Sequence, residues 1–257
     1  MDTLLLTSAL AGSAEQAGVD AATAVLTGAG GVEVVTASSP AEVDAALDRQ
    51  AGRRLVLAGG DRDLHRLVRR LWRRGDLGIP VGLVPLGPDH GLASRLRLPL
   101  DSAQAAGAVL TGHPRAVDLI RSDGGGNVVA GAVHIGEGWD GEGWTGRLAA
   151  FRGRRGTPLH VNVDDAVLAD GGRRLLAVAI TAVEGELEVV LRGPPAPVVG
   201  TGGQPFRLVR RARGRAVSVA AAPRVEVSVT ADGEPGTLRG RRSWWVEVGA
   251  WSVICPD

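Results

Sequence analysis

A chain of 257 residues, 44% hydrophobic and 22% charged, has the length and apolar content for one large domain or two smaller ones, which excludes a disordered polymer. Its net charge of +1 is too small to steer it onto nucleic acid, and all 29 of its basic side chains are arginine. The absence of lysine excludes a Schiff-base lysine and a P-loop lysine; Cys255, the single cysteine, excludes an internal disulfide and a cysteine-built zinc cluster.

TLLLTS (residues 3–8) is a short apolar run and reads as a strand. The segment around it lacks the basic stretch and long apolar core of a signal peptide, and no apolar run approaches a membrane span. A cytoplasmic protein is the expectation. Residues 14–26 are Ala-rich with helical spacing, VEVVTA (32–37) reads as a second strand, and Ser39-Pro40 opens a second helix. RRLVLAGG (53–60) is a third strand ending in Gly59-Gly60-Asp61. Leu64, Leu67, Val68, Leu71 and Trp72 then repeat at helical spacing, with arginines and His65 on the polar side. IPVGLVPLG (79–87) is an unbroken apolar strand, and a further helix covers residues 102–112. Strands alternating with helices predict a parallel sheet covered on both faces.

After about residue 115 the segments become short, β-branched and punctuated by Gly, Pro and Asp. AVDLIRS, NVVAGAVHI, PLHVNVDD, RRLLAVAITAV, ELEVVLRG, FRLVRRARG, RAVSVAAA, RVEVSVTADGE and SWWVEVGAWSVI predict an antiparallel β domain, a sandwich or split barrel, with 192–205 as a linker. The expected division is an α/β lobe over residues 1–118, with 249–257 packing back on it, and a β-sandwich lobe over 119–248. Two lobes imply a cleft between them that suits a ligand.

The order of these pieces resembles the diacylglycerol kinase and sphingosine kinase family of lipid kinases. The family's hallmarks are a strand ending in GGDGT, a helix, and a strand ending in a P-x-GTGND turn. LVLAGGDRDLHRLVRRL stands at the first position and GLVPLGPDHGLASRLRLPLD at the second. AAGAVLTGHPRAVDLI resembles the Ala-rich helix and strand entering the second lobe, and RGRAVSVAAAPRVEVSVTADGE resembles the strands carrying the family's DGE turn. The likeness covers most of the chain. It implies an ATP-NAD kinase-like α/β lobe with a β-sandwich lobe, and a reaction that moves the γ-phosphoryl of Mg·ATP onto a lipid hydroxyl. Gly59, Gly60, Arg62, Asp63, Gly87, Asp89 and His134 would then surround nucleotide or ligand, with Asp61 near Mg and Glu234 as base.

The departures fall at the chemistry. Glycines in GGDGT let the backbone approach phosphate, and here the next glycine is Arg62 and the threonine Asp63. Arg62 suits phosphate, whereas the Asp63 carboxylate repels it unless Mg²⁺ intervenes. In the second turn, Gly87-Pro88-Asp89-His90-Gly91 replaces GTGND, and Pro88 removes both an amide donor and a hydroxyl. The N-P-x-S-G turn and a Gly-rich segment of the second lobe are missing.

Each candidate has two readings. Glu234 is a general base, or part of a two-residue Asp-Gly hairpin. Asp61 orients Mg or nucleotide, or it caps a helix from Leu64 with Asp63 as competitor. His90 beside Asp89 is a new acid/base pair, or a solvated loop histidine. His134 precedes a Gly-rich run with Glu137, Trp139, Asp140, Glu142 and Trp144, either a flap over an apolar ligand or a shortened loop sealing the lobe junction. His113 and His160 have no ligand spacing, so a structural metal is not expected. FRGRRG (151–156) suits transient contact with anionic lipid. Three functions remain open: a working lipid kinase, a nucleotide-independent acid/base enzyme acting on a small apolar or lipid-like molecule, and a non-catalytic binder. A homodimer is compatible with each.

Overall fold

A computed structural model describes residues 2–8, 13–88, 90–123, 127–136, 156–194 and 207–256. The chain divides into two compact units, Met1–Val117 with Gly249–Asp257, and Asp118–Val248.

The first unit runs β1 (Thr3–Ser8), α1 (Ser13–Thr27), β2 (Val32–Ala37), α2 (Pro40–Asp48), β3 (Arg54–Gly59), α3 (Asp61–Arg74), β4 (Val81–Pro85), α4 (Gly91–Arg95) and α5 (Ser102–Thr111). Strand β5 (His113–Ser122) leads out of it. The second unit holds β6 (Asn127–Val129), β7 (Ala132–Gly136), β8 (Thr157–Val163), β9 (Ala166–Leu175), β10 (Ala177–Val183), β11 (Glu186–Gly193), β12 (Arg207–Gly214), β13 (Ala216–Ala221), β14 (Glu226–Ala231) and β15 (Glu234–Arg239). The last strand, β16 (Arg241–Cys255), begins in the second unit and ends in the first.

In the first unit β2, β1, β3 and β4 lie side by side, all parallel, and the end of β16 joins β4 through Val253 opposite Val81. Alternation along these strands divides the apolar residues between two faces. Leu5, Val56 and Val84 pack with Val19, Ala22 and Leu26 of α1 and Ala105, Ala106 and Val109 of α5. Their neighbours Leu4, Leu6, Leu55, Leu57 and Leu83 are also buried, as are Leu64, Leu67, Val68 and Leu71 of α3. His65 is buried as well, at 3% exposure, and is not on the polar side of the helix. Arg70 and Arg74 pair with Asp44 and Asp48 of α2, which makes the arginine face a solvated ion-pair surface.

The second unit packs two antiparallel sheets around one core. One has the order β16-β13-β8-β9, the other β12-β11-β10-β7-β14-β15. Alternate residues of both sheets, among them Leu159, Val161, Val217 and Val219 against Val178, Ile180, Leu187 and Val189, form that core. The family-type pairing of an α/β lobe with a β-sandwich is therefore present.

Local boundaries differ from the sequence pattern for identifiable reasons. The run expected at 173–183 breaks at Leu176, because β9 belongs to one sheet and β10 to the other. Strand β15 escapes a pattern search because it carries Pro235 and Gly236, which are tolerated on the outermost strand of its sheet. The segment 127–135 splits in two because residues 130–132 turn their amides to a side chain. Ala130 donates to Asp232 Oδ2 at 2.7 Å, while Gly131 and Ala132 donate to Oδ1 at 2.8 and 2.7 Å. Asp232 is only 8% exposed and begins the two-residue turn of the β14–β15 hairpin, where its φ is 46° and that of Gly233 is 80°. Those angles are the type I′ turn that a right-twisted hairpin favours. No helix among the described residues is long and apolar enough to cross a membrane.

Removing the Asp232 carboxylate leaves three amides without that acceptor, at a cost of roughly 1–3 kcal/mol for each one that stays buried and unsatisfied. Asp232→Ala is therefore expected to lower stability by several kcal/mol in urea unfolding, and Asp232→Asn by clearly less.

Candidate functional site

The parallel order β2-β1-β3-β4 reverses direction between β1 and β3, and ligands of open α/β sheets bind beyond the carboxyl ends of strands at such a point. Here β1 ends at Ser8 and β3 at Gly59, and the turn after β3 leads directly into α3. Gly60 takes the N-cap conformation, with φ −91° and ψ −174°, so the helix begins at Asp61. That corrects the expected start at Leu64: neither Asp61 nor Asp63 is the N-cap. Asp63 is the third helical residue, and its Oδ2 accepts the Gly60 amide at 3.2 Å, which is half of a capping box.

This bond places the Asp63 side chain over Gly59. A Cβ built on Gly59 falls 2.8 Å from Asp63 Oδ2 and 2.9 Å from Asp63 Cβ, so the space left by the missing side chain is already taken. The pocket at the strand ends is lined by Thr7, Ser8, Glu15, Gly59, Gly60 and Asp63 and measures about 20 Å³. Such a volume is room for about one enclosed water.

The electrostatics point the same way. Burial pushes the Asp63 acid above its ordinary value; the Gly60 amide and Arg66 pull it back, and Glu15 pushes it further up. Glu15 also reaches the second turn: a Cβ on Gly87, whose φ is +74°, would sit 2.8 Å from Glu15 Oε1. The sequence reading missed Glu15. Its signal is an acid in the first turn of the helix after β1, the same strand-turn-helix pattern that singled out Asp61 and Asp63 after β3.

Asp61 ties the two turns together. Its Oδ1 and Oδ2 accept the Leu92 amide at 3.2 and 3.3 Å, at the start of α4. His90 precedes α4 as its N-cap residue, with Nδ1 3.1 Å from the Gly87 carbonyl. Arg62 is exposed in the first turn of α3. Gly59, Gly60, Asp61, Arg62, Asp63, Gly87 and His90 thus gather in the first unit, and Asp89 lies outside the described residues.

The remaining candidates belong to the second unit. Glu234 follows the β14–β15 turn opposite Ala231, and Ala231 lies opposite Val133. His134 is opposite Thr230. Because side chains alternate, Glu234 shares the face of buried Val133 and His134 occupies the other face of that sheet. The Gly-rich run after β7, with its tryptophans, and FRGRRG up to Arg155 lie outside the described residues. Among the described residues no cluster of three or more His, Cys, Asp or Glu side chains has metal-holding geometry. Asp63 occupies the space beside Gly59 and, with Glu15, lines this turn with two carboxylates.

Residues 4–122 match the family model of the diacylglycerol kinase catalytic domain. No curated protein matches the chain significantly. Solved structures bearing the name diacylglycerol kinase, from Bacillus anthracis str. Sterne, share the fold. One is 13% identical with a TM-score of 0.74, covering 99% of this chain and 97% of its own. Two others, at 15% and 14% identity, have TM-scores of 0.73 and 0.72, covering 100% of this chain and 97% of theirs.

A raised acid such as Asp63 favours its protonated form in the fold, so stability is highest below the ordinary Asp value and falls as pH rises through the folded one. Asp63→Asn keeps an acceptor for Gly60 without the charge. It is expected to raise Tm at pH 7 by roughly 2–4 °C, the response of a protein this size to about 1 kcal/mol. Thermal unfolding at several pH values should show the gain shrinking toward pH ~3.5, below the ordinary Asp pKa.

Proposed function

We propose that the chain, whose residues 4–122 match the diacylglycerol kinase catalytic domain, is a diacylglycerol kinase-like member of the lipid kinase family that keeps the family's fold around a phosphate cradle no longer taking up Mg·ATP productively. Transfer of a γ-phosphoryl to a lipid hydroxyl, the family reaction, is then impaired. The observation that carries this reading is the Asp63 carboxylate over Gly59, bonded to the Gly60 amide that would otherwise face phosphate.

Phosphoryl transfer depends on positioning and on neutralising charge, with little covalent work left to the protein. A carboxylate about 4 Å from a phosphate oxygen costs on the order of 1–4 kcal/mol between bulk water and a partly screened surface. At 1.36 kcal/mol per decade, Asp63 alone removes about one to three powers of ten from affinity or rate, and Glu15 adds to this. Asp61, which the family would place near Mg, is engaged with the Leu92 amide. Glu234 stays the candidate base for a hydroxyl in any residual transfer.

A second reading draws on the raised Asp63 acid beside Glu15. Such a carboxyl suits proton transfer, so the altered turns would serve nucleotide-independent acid/base chemistry on a small apolar substrate, with the His90 ring beside the Gly87 carbonyl as a further candidate group. A non-catalytic binder shares the same lack of response to nucleotide. A cytoplasmic setting fits each reading.

Titrating Mg·ATP by calorimetry and thermal shift tests the proposal. The expected result is no saturable response up to about 1 mM, the upper end of ordinary KM values. The double variant Arg62→Gly with Asp63→Thr should gain measurable affinity, as the carboxylate leaves the cradle. Tight binding by the unaltered chain, abolished by Asp61→Ala, overturns it. If nucleotide is refused, assaying Glu234→Gln and His90→Ala on a substrate found by screening separates an acid/base enzyme from a binder.

A further inference from the structure

We propose that the first unit carries a second ligand site, at the opposite end of its parallel sheet, for a small monocarboxylate with an apolar body. A cavity of about 270 Å³ opens where β3 and β4 begin and where α5 passes into β5. A cavity of roughly 150 Å³ lined by apolar side chains holds benzene, so this one accommodates a chain of about six carbons with a polar head. Its apolar walls include Ile79, Pro80, Pro114 and Ile254, and its cationic side is formed by Arg53 and Arg54.

The two guanidiniums are in different electrostatic states. Arg53 donates to Glu33 Oε2 at 2.5 Å, and that bond holds the Glu33 carboxyl below its usual range, so this charge is neutralised. Arg54 is half-buried, and among the described residues no carboxylate lies within ion-pair distance of it. Its Nη1 donates to the Val109 carbonyl near the end of α5, which leaves four of its five N–H donors. A half-buried cation on a cavity wall without a counter-charge favours an anion, and the planar fork of guanidinium matches a carboxylate with two parallel bonds.

The site is preformed. The turn before β3 bends through Ala51 at φ 36° and Gly52 at φ 80°. Gln50 spans that turn, donating from Nε2 to the Arg53 carbonyl at 2.5 Å and accepting the Gly52 amide at 3.4 Å. A left-handed alanine persists only where its surroundings over-determine it, and such backbone recurs at ligand clamps. The Arg54 amide is fixed in turn by the Asp2 carbonyl at 2.9 Å. The apolar walls disfavour a strongly hydrated inorganic anion, and the Arg54 guanidinium, with no carboxylate partner among the described residues, favours a charged head over a neutral one. An aliphatic monocarboxylate satisfies both.

Calorimetry and ligand-observed NMR on the whole chain, with hexanoate, hexan-1-ol and inorganic phosphate as probes, test this. Hexanoate is expected to bind with Kd on the order of 0.1–1 mM, in line with the efficiency of small ligands. Hexan-1-ol and phosphate should each bind at least about tenfold more weakly. Arg54→Gln should lose the preference for hexanoate over hexan-1-ol, and Ile79→Trp, which fills the mouth, should abolish binding without lowering Tm. The proposal is overturned if hexanoate does not bind, if phosphate or hexan-1-ol binds as well as hexanoate, or if both folded variants bind hexanoate like the unaltered chain.

Discussion

The Gly60 amide donates to Asp63 Oδ2 at 3.2 Å, and in doing so pins a carboxylate over the backbone of Gly59. Much of the character of the first unit's strand ends follows from that bond. A helix leaves its first amides without intrahelical partners, and those amides are what makes such a turn attractive to phosphate. An internal carboxylate at the third helical position satisfies one of them permanently and brings its own charge. The positive end of α3 is thereby used within the chain, where the pocket beyond β1 and β3 measures about 20 Å³. Gly59 still lacks a side chain, but the space it leaves is occupied by another residue's.

The same use of aspartate recurs through both units. Asp61 accepts the Leu92 amide and joins two turns. Asp232 accepts three amides and holds the segment between β6 and β7 against the β14–β15 hairpin. Asp164 accepts the amides of Arg215 and Ala216, Asp123 that of Ser243, and Asp118 that of Gly185. A carboxylate offers several lone pairs on a short stem, so one Asp satisfies two or three donors where a turn leaves them without ladder partners. The carboxylates of Asp61, which the family resemblance places near Mg, and of Asp232, two residues before Glu234, therefore bear on the fold first. Chemistry at such positions starts from side chains already committed to backbone.

Much of this architecture is legible in the residues. Parallel β1, β3 and β4 are short, nearly unbroken apolar runs because both faces of their sheet are covered, and Leu4 and Leu5 are both fully buried. The strands of the second unit alternate because one face meets the sandwich core. The Asp-Gly hairpin follows from turn chemistry alone, and the structure has it with both φ angles positive. Less legible is what depends on contacts distant along the chain. His65 reads as polar from its type, yet the helix carries it to a buried position. The N-terminus of α3 looks like Leu64 from hydrophobic spacing, because spacing does not register a Gly60 cap closed by Asp63. Glu15 meets Gly87 across 72 positions of sequence, and no local pattern announces that encounter.

The two ends of the parallel sheet have opposite electrostatic settings. At the carboxyl ends, Glu15 and Asp63 face a space of water size, and the repulsion between them makes any additional anion costly. At the amino ends, Arg54 faces a space more than ten times larger without a carboxylate among the described residues to pair with it. Anions settle where a cation is partly desolvated and uncompensated, because there the field is least screened and least cancelled. An open α/β sheet ordinarily attracts anions to its carboxyl ends, through helix N-termini aimed at the strand tips. In this chain an internal carboxylate cancels that attraction at the α3 tip, and an arginine at the first residue of β3 supplies the opposite end with the attraction instead.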